Sequence, residues 1–410
     1  MKQPSEEEQP RPAPSVVAVR MGSLLLSRGL LATYFGAVGL FLPLIREDLG
    51  LTFSQAGTLS SASTLVYALM QVPAGYLSDR IGPKRVLFAG FMGTSLLIVG
   101  FGFAGSFAVA LVLFTAFGFF RAFAFAPGLV LAASWFPENR RSTALGLTVS
   151  ATFGFTMLLN LGGPSLADAL GWRAVVGGAA ALGVGAALLF GRVADDVPPT
   201  DDGNGTEAGP RWLLRQPVMW WIGGIQFIRL ALVVSFAFWM PTLLVEDHGL
   251  DLRVAGLILA GGAGTTVLSN LAGGYISDRF GSPLIVIRVA LLALCATSLT
   301  IATVDVTLVV VFAFLVNALF VQSYFGPIFV LPLELLGRRS EGVAAGLGNF
   351  FANLGAFAFT FALGAIRDAT GSFSLGFASL SLIAFAGVLI TVRLSRFTSE
   401  RGRLSDAASS

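Results

Sequence analysis

Charged residues are scarce in this chain, and so are the residues that build disulfides and metal sites. Of its 410 residues, 12% are charged and 55% are hydrophobic, and the mean hydropathy is +0.80. A soluble domain carries roughly 25% charged residues, so the composition excludes an ordinary soluble protein. The single cysteine and the single histidine, Cys295 and His248, exclude a disulfide within the chain and a multi-histidine metal site. The sequence has no phosphate-binding Gly-x-x-x-x-Gly-Lys-Ser/Thr motif and no candidate triad. We therefore expect no enzyme activity, no cofactor and no nucleic-acid partner.

Long apolar runs are what the chain has instead of charge. Runs of about 20 residues, the length that crosses a bilayer, recur about twelve times. A polar segment rich in Asp, Pro and Gly separates the first six runs from the last six. We predict an all-α membrane protein with two six-helix bundles. The predicted domains are a disordered cytoplasmic tail (1–20), an N-terminal bundle (21–191), a cytoplasmic linker (192–216), a C-terminal bundle (217–396) and a cytoplasmic tail (397–410).

The two halves repeat each other in sequence. The segment from Gly75 to Gly82 recurs from Gly274 to Gly281, an offset of 199 residues. Parallel repeats of six helices predict two pseudo-symmetric bundles with a substrate site between them near the midplane of the membrane.

The basic residues predict the orientation of the chain. With cytoplasmic termini and strict alternation of the spans, nineteen Lys and Arg residues fall on the cytoplasmic side and four on the other side. This bias follows the positive-inside rule and predicts a multi-pass protein of the cell (inner or plasma) membrane. Three arginines, Arg28, Arg121 and Arg229, fall inside the predicted helices.

The repeated segment carries a family resemblance. Gly75-Tyr-Leu-Ser-Asp79-Arg80-Ile-Gly82-Pro-Lys84-Arg85 resembles the cytoplasmic signature loop of the major facilitator superfamily, whose members are secondary transporters. The resemblance implies a gating role for these residues. The implied gating residues are Gly75, Asp79, Arg80, Gly82, Lys84 and Arg85 in the first copy, and Gly274, Asp278, Arg279 and Gly281 in the second. The second copy lacks the basic pair that follows, so we expect the gates of the two halves to differ.

Two further segments resemble particular branches of that superfamily. Residues 134–141, at the end of the fourth predicted span, and residues 346–355, in the eleventh, resemble the organic-anion (anion:cation symporter) and oxalate/formate-type branches. The resemblance implies an anion carrier without identifying the substrate.

The three buried arginines are the main candidates for substrate binding. In the superfamily the first, fourth and seventh helices line the central cavity, and these spans carry Arg28, Arg121 and Arg229. A guanidinium stays charged and presents a planar set of donors that matches a carboxylate. None of the 23 acidic residues lies in the middle of a predicted span, so an anionic substrate is the simplest counter-charge. Two structural alternatives remain open. Arg28 could extend to the cytoplasmic surface, and the other two could hydrogen-bond backbone carbonyls or amide side chains.

Neutral polar residues on the spans complete the predicted pocket, although each could equally serve helix packing. The predicted substrate contacts are Tyr34, Gln226, Asn317, Gln322, Tyr324, Asn349 and Asn353. Further polar groups on the spans are Tyr67, Gln71, Asn160 and Asn270.

These observations predict a monomeric secondary carrier of a small organic anion. Because no acid or histidine lies in mid-membrane, we expect the proton to travel on the substrate, or the carrier to exchange two anions. Two alternatives stay open. Gly162-Gly163-Pro164 partly matches a motif of proton-coupled drug or metabolite exporters, and Gly348-Asn349 is compatible with a nitrate-like inorganic anion carrier.

Overall fold

A computed structural model describes residues 14–136, 141–196, 212, 214–280, 282–328, 331 and 341–409. Within these residues all regular structure is helical. The helices are α1 (Pro14–Leu40), α2 (Leu42–Leu49), α3 (Phe53–Ile81), α4 (Pro83–Gly102), α5 (Phe107–Ala122), α6 (Ala126–Ser134), α7 (Arg141–Leu170), α8 (Trp172–Val193), α9 (Pro217–Thr242), α10 (Leu252–Phe280), α11 (Pro283–Thr303), α12 (Thr307–Val321), α13 (Glu341–Thr370) and α14 (Ser374–Ser409). A π-helical turn, Leu243–Asp247, extends α9.

The lengths of these helices fit a membrane protein. Nine helical segments in the described part of the chain are long and apolar enough to cross a bilayer, and α12 is a shorter apolar helix. The long helices α3 and α7, which contain more Ser, Thr and Gly, complete two sets of six spans. The predicted all-α membrane architecture is therefore confirmed.

Some predicted domain boundaries fall inside helices. Helix α1 begins at Pro14, within the predicted N-terminal tail, and α14 continues to Ser409, within the predicted C-terminal tail. Residues 1–13 and 197–211 lie outside the described residues, so the disorder of the first segment and the linker character of the second stay predictions.

The fourth predicted span consists of two helices instead of one. Helix α5 ends at Ala122 and α6 begins at Ala126, with Pro127 in the first turn of α6. Proline has no N–H, and in a continuous helix its ring would clash with the carbonyl four residues earlier, that of Phe123. The chain therefore leaves the α-helix after Ala122 and resumes it at Ala126.

The second half contains the same interruption. Helix α12 ends at Val321, a turn covers residues 322–324, and residues 325–328 are helical again. Pro327 lies 200 residues after Pro127, so the two breaks are related by the internal repeat. They place irregular backbone in the fourth and tenth spans, at equivalent depth.

The two bundles meet at the end of the molecule opposite the chain termini, which we call the far end. Here α3 packs against α13, and α7 packs against α10. A Cβ atom on Gly57 would lie 2.9 Å from the carbonyl oxygen of Thr360. The repeat-related Gly256 has no room for a Cβ atom beside the carbonyl oxygen of Asn160. Two pseudo-symmetric helix pairs therefore approach so closely that only glycine fits.

Polar contacts join the same pairs of helices at the far end. The Arg253 Nε atom of α10 lies 2.6 Å from an Asp168 oxygen of α7. At the repeat-related position, Asp368 of α13 accepts hydrogen bonds from the backbone N–H groups of Phe53 (2.9 Å) and Ser54 (2.6 Å). A carboxylate at the N-terminus of α3 also interacts favourably with the helix dipole.

A third contact crosses between the halves through a charged pair. The Arg46 Nη1 atom of α2 donates to both carboxylate oxygens of Glu246, at 2.5 and 2.7 Å. The neighbouring Asp247 pairs with Arg367, which belongs to the same half. The far end is thus closed in this structure, and the predicted topology places it on the outer side of the membrane.

Candidate functional site

Arg121 lies in the last turn of α5, directly before the break at Pro127. Its guanidinium carbon is 4.3 Å from the ring centre of Phe35 in α1 and 4.1 Å from that of Tyr67 in α3. These distances are typical of cation–π contacts. The side chain as a whole is partly exposed, but its Nη1 atom is buried and has no hydrogen-bond partner. Leaving a buried donor unpaired costs about 1–3 kcal/mol, and more for a charged group, so this position suits an anionic ligand.

A series of polar side chains leads from Arg121 across to the second half. The Tyr67 hydroxyl interacts with the side chains of Arg121 and Gln71. Gln71, one turn along α3, accepts a hydrogen bond from Asn349 Nδ2 of α13 at 2.7 Å. Gly348, the residue before Asn349, lies next to the side chain of Gln226. A Cβ atom on Gly348 would be 3.6 Å from that side chain. We call Arg121, Tyr67, Gln71 and Asn349 the bridging cluster.

Arg229 lies in the second half, on α9, and is buried. Its Nε atom donates to Gln226 Oε1 at 2.8 Å, and its guanidinium carbon lies 5.1 Å from the ring centre of Phe325. Among the described residues, only Gln226 accepts a hydrogen bond from Arg229. The Tyr324 hydroxyl and Gln322 Oε1, both at the break after α12, are buried without partners. The second half therefore also offers unpaired polar atoms beside an arginine.

Arg28 has a different environment. Its Nη1 atom donates to the carbonyl oxygens of Ala124 (2.7 Å) and Phe125 (3.4 Å). These carbonyls lie in the break between α5 and α6, where the helical pattern of hydrogen bonds is interrupted. The residue is only 9% exposed, so its side chain packs inside the bundle instead of extending to the surface. Arg28 thus supports the irregular backbone next to Arg121.

Three other predicted contacts use their polar groups within a single bundle. The Tyr34 hydroxyl lies 3.2 Å from Ser95 Oγ, Asn317 Nδ2 donates to Thr297 Oγ1 at 3.0 Å, and Asn353 Nδ2 donates to the carbonyl of Asn349 at 2.8 Å. These bonds are those of packed helices. Tyr34, Asn317 and Asn353 therefore stay predictions as substrate contacts.

The predicted gating loop lies at the end of the molecule near the chain termini. Gly82, between α3 and α4, has φ +91°, and a Cβ atom there would collide with Asp196. Asp196 Oδ1 accepts a hydrogen bond from the Lys84 N–H at 3.0 Å, at the N-terminus of α4. The repeated motif did not reveal this carboxylate, which comes from the predicted linker.

The other gating residues can be placed only in part. Gly75 has open space beside it, and Asp79, Arg80, Arg85 and, in the second copy, Arg279 are exposed. The surroundings of Gly274, the side chain of Asp278 and all of Gly281 lie outside what the structure describes.

Tyr67 and Gln71 contribute more to the site than we predicted. The sequence did indicate that these two side chains lie together, because residues 67 and 71 are four positions apart and so share one face of a helix. What the sequence did not contain was the neighbourhood of that face, which includes Arg121 from the same half and Asn349 from the other half.

The charge balance of the site is positive within the described part of the chain. No described carboxylate forms an ion pair with Arg28, Arg121 or Arg229. The described ion pairs instead join residues at helix ends and in adjoining segments, as in Arg173–Asp48 and Arg253–Asp168. A site between two helical bundles, lined by unpaired cationic and amide donors, is typical of a membrane carrier for anions.

Comparison with known proteins identifies the class. The model of the Major Facilitator Superfamily matches residues 24–360, and the chain belongs to that family. This confirms the predicted family and the arrangement of two six-helix bundles. The protein is a multi-pass membrane transporter.

Relatives of this chain carry names of anion transporters. It is 26% identical over 382 residues to the probable sulfoacetate transporter SauU of Cupriavidus necator, covering 85% of this chain and 87% of that protein. It is 24% identical over 351 residues to the nitrite extrusion protein of Bacillus subtilis, covering 85% and 87%. It is 28% identical over 403 residues to the probable galactarate/D-glucarate transporter GudP of Pseudomonas putida, covering 87% and 88%.

The fold also matches a solved structure. A bacterial homologue of the human lysosomal transporter Spinster, in an inward-facing and occupied conformation, superimposes with a TM-score of 0.76. The match covers 96% of this chain and 98% of that one, at 17% sequence identity, so it supports the fold alone.

Proposed function

We propose that the protein moves a small organic anion, a carboxylate, across the membrane by alternating access. Arg121 is the primary anion-binding residue in this proposal, and Arg229 provides a second positive charge from the other half. Binding between the two bundles would link substrate capture to the opening and closing of the far end. The carrier operates by proton symport or by anion exchange, with the substrate itself as the charged species.

The unpaired Nη1 atom of Arg121 is the observation that supports this proposal most directly. A fixed positive charge inside a membrane protein is costly and is usually functional. Phe35 and Tyr67 pack against the guanidinium, yet neither supplies a negative charge. A carboxylate would accept hydrogen bonds from the guanidinium and balance its charge at the same time.

Inorganic anions are the second candidate substrate class. The relative named nitrite extrusion protein and the aromatic, donor-rich surroundings of Arg121 are both compatible with a small planar anion. The proton-coupled exporter of cationic drugs has less support, because no described carboxylate pairs with the three buried arginines.

The orientation in the membrane is part of the same proposal. We place both termini in the cytoplasm of a cell whose plasma or inner membrane holds the protein as a monomer. The far end then faces outward, and its ion pairs and close helix contacts make the present conformation inward-facing.

Ligand-dependent thermal stabilisation of the purified protein tests the proposal. A ligand that binds the folded state stabilises it by mass action, so a panel of monocarboxylates, dicarboxylates, nitrate and lipophilic cations can be ranked. We expect stabilisation by carboxylates that is lost in Arg121→Gln. Arg288→Gln is the matched control, since Arg288 bonds to Thr391 within the second bundle. Stabilisation by cations alone, or anion binding unaffected by Arg121→Gln, would contradict the proposal.

A further inference from the structure

Only one of the two polar atoms of the Gln71 side-chain amide forms a hydrogen bond. Its Oε1 atom accepts a hydrogen bond from Asn349 Nδ2 at 2.7 Å. Its Nε2 atom is buried and has no hydrogen-bond partner. Because the oxygen faces a donor from the other bundle, the amide is held with its NH2 group directed elsewhere. Gln71 therefore presents an unpaired neutral donor.

This donor belongs to the same cluster as the unpaired donor of Arg121. The Tyr67 hydroxyl lies close to both side chains, although it forms no hydrogen bond with Gln71 Nε2. The first bundle thus contributes two unpaired donors near one tyrosine, Arg121 Nη1 and Gln71 Nε2. Two such donors suit a ligand group with two acceptor oxygens, because a guanidinium alone leaves other oxygen lone pairs unsatisfied.

We propose that Gln71 is a specificity-determining residue of the transport site. Its Nε2 atom donates a hydrogen bond to the anion held by Arg121, and Asn349 holds the amide in the donating orientation. This inference rests on the proposed function and adds a contact to the same site. The second bundle then takes part in binding an anion at the first bundle, because Asn349 fixes the orientation of the Gln71 amide. Oxyanions with two oxygens are favoured over anions that lack oxygen, such as thiocyanate.

Binding measurements on four variants test the proposal, with D-glucarate, acetate, nitrate and thiocyanate as the probes. Gln71→Glu keeps an acceptor for Asn349 but replaces the free donor by a negative charge. Gln71→Met removes both groups. Asn349→Ala keeps the donor and removes what orients it. Arg288→Gln is the control, because Arg288 bonds to Thr391 inside the second bundle and is partly buried, as Gln71 and Asn349 are.

A hydrogen bond to a charged group corresponds to a loss of about tenfold or more in affinity when it is removed. We expect Gln71→Met and Gln71→Glu to lose at least that much for the oxyanions and much less for thiocyanate. Asn349→Ala should lose less than either, and Arg288→Gln should bind as the wild type does. A purely structural Gln71–Asn349 bond predicts a different result, in which Gln71→Met and Asn349→Ala weaken all anions equally.

The outcomes separate the two proposals. If the wild type binds oxyanions and Gln71→Met binds them equally well, Gln71 is not a substrate contact, while the role of Arg121 is unaffected. If the wild type binds none of the anions, the proposed function and the role of Gln71 are both wrong. Melting temperatures without ligand show that each variant is folded.

Discussion

Arg28 and Arg229 make corresponding aromatic contacts in the two halves of the protein. The guanidinium carbon of Arg28 lies 5.9 Å from the ring centre of Phe125, and that of Arg229 lies 5.1 Å from the ring centre of Phe325. Each phenylalanine lies two residues before the proline at a helix break. The two arginines therefore make corresponding contacts beside the two breaks, although 201 residues separate them and the offset of the repeat is 199 or 200. The positions 199 and 200 residues after Arg121, Phe320 and Val321, are apolar, and Arg121 has no basic residue at the corresponding positions of the second half.

The carbonyl contacts of Arg28 predict that Arg28→Gln acts on stability more than on binding. Arg28 donates to the carbonyls of Ala124 and Phe125, and a shorter side chain would leave them unpaired. The expected cost is about 1–3 kcal/mol for a buried polar group without a partner. Thermal unfolding in detergent should show a lower melting temperature, with anion affinity changed less than in Arg121→Gln. A variant with normal stability and no anion binding would show that Arg28 is a substrate contact after all.

The contacts of Arg121 predict that lysine cannot replace it. Lysine keeps the charge but loses the planar group that packs between Phe35 and Tyr67 and donates through several nitrogens. We expect Arg121→Lys to weaken anion binding by about tenfold or more. Tyr67→Phe keeps the ring and loses only the hydroxyl, so it should have a smaller effect. Equal affinities of Arg121→Lys and the wild type would mean that charge alone is needed.

Much of this architecture was accessible from the sequence, for physical reasons. Apolar runs of bilayer length and the repeat of Gly75–Gly82 predicted twelve spans in two bundles, because in a bilayer the backbone must satisfy its own hydrogen bonds. The composition also predicted the charge asymmetry of the site. The contacts of individual side chains were harder to predict. A polar residue on a membrane span gives the same sequence pattern whether its side chain bonds to a neighbouring helix or to a substrate. Asn317 and Gln322 illustrate this, as the first bonds to Thr297 and the second has an unpaired oxygen.

The breaks at Pro127 and Pro327 show a second limit. We predicted the fourth span as one continuous helix, with Arg121 near its middle. Proline in an apolar run signals a kink, but the sequence does not say which side chain fills the gap it leaves. That role falls to Arg28, which is 96 residues from Ala124 in sequence. Contacts of this kind depend on how helices are placed in space, which hydrophobic periodicity does not encode.

The Arg46–Glu246 pair predicts how the closed far end is stabilised. In this pair one guanidinium nitrogen donates to both carboxylate oxygens, and the pair joins the two halves and is largely shielded from solvent, with side-chain exposures of 15% and 28%. We expect Arg46→Gln to destabilise the closed far end by about 1 kcal/mol, a factor of about five in population. Spin labels at Glu47→Cys and Asp305→Cys, in a Cys295→Ser background, would report longer distances across the far end.

Two further variants make that experiment specific. Arg173→Gln is the control, because Arg173 pairs with Asp48 inside the first bundle at the same end of the molecule. It should leave the distance distribution unchanged. The exchanged pair Arg46→Glu with Glu246→Arg should partly restore the closed population, whereas equal opening in the single and exchanged variants would mean that the ion pair does not hold the halves together.

The contact between α3 and α13 predicts a steric block to closure. A Cβ atom on Gly57 would lie 2.9 Å from the carbonyl oxygen of Thr360, and backbone cannot turn aside as a flexible side chain can. Gly57→Ala should therefore force the two helices apart at the far end and shift the protein towards a far-end-open conformation. Transport should slow, because the protein would less often reach the closed state. The same pair of spin labels should report a longer mean distance.

The internal repeat supplies a second site and a control for this prediction. Gly256→Ala would place its Cβ atom against the carbonyl oxygen of Asn160, in the repeat-related contact of α10 with α7, and should open the far end in the same way. Gly178→Ala in α8 adds the same methyl group where no atom lies within 4 Å, so it should change neither the distance nor the transport rate. If Gly57→Ala and Gly178→Ala behave alike, the helices at the far end have room to move, and their close contact does not control the opening of the carrier.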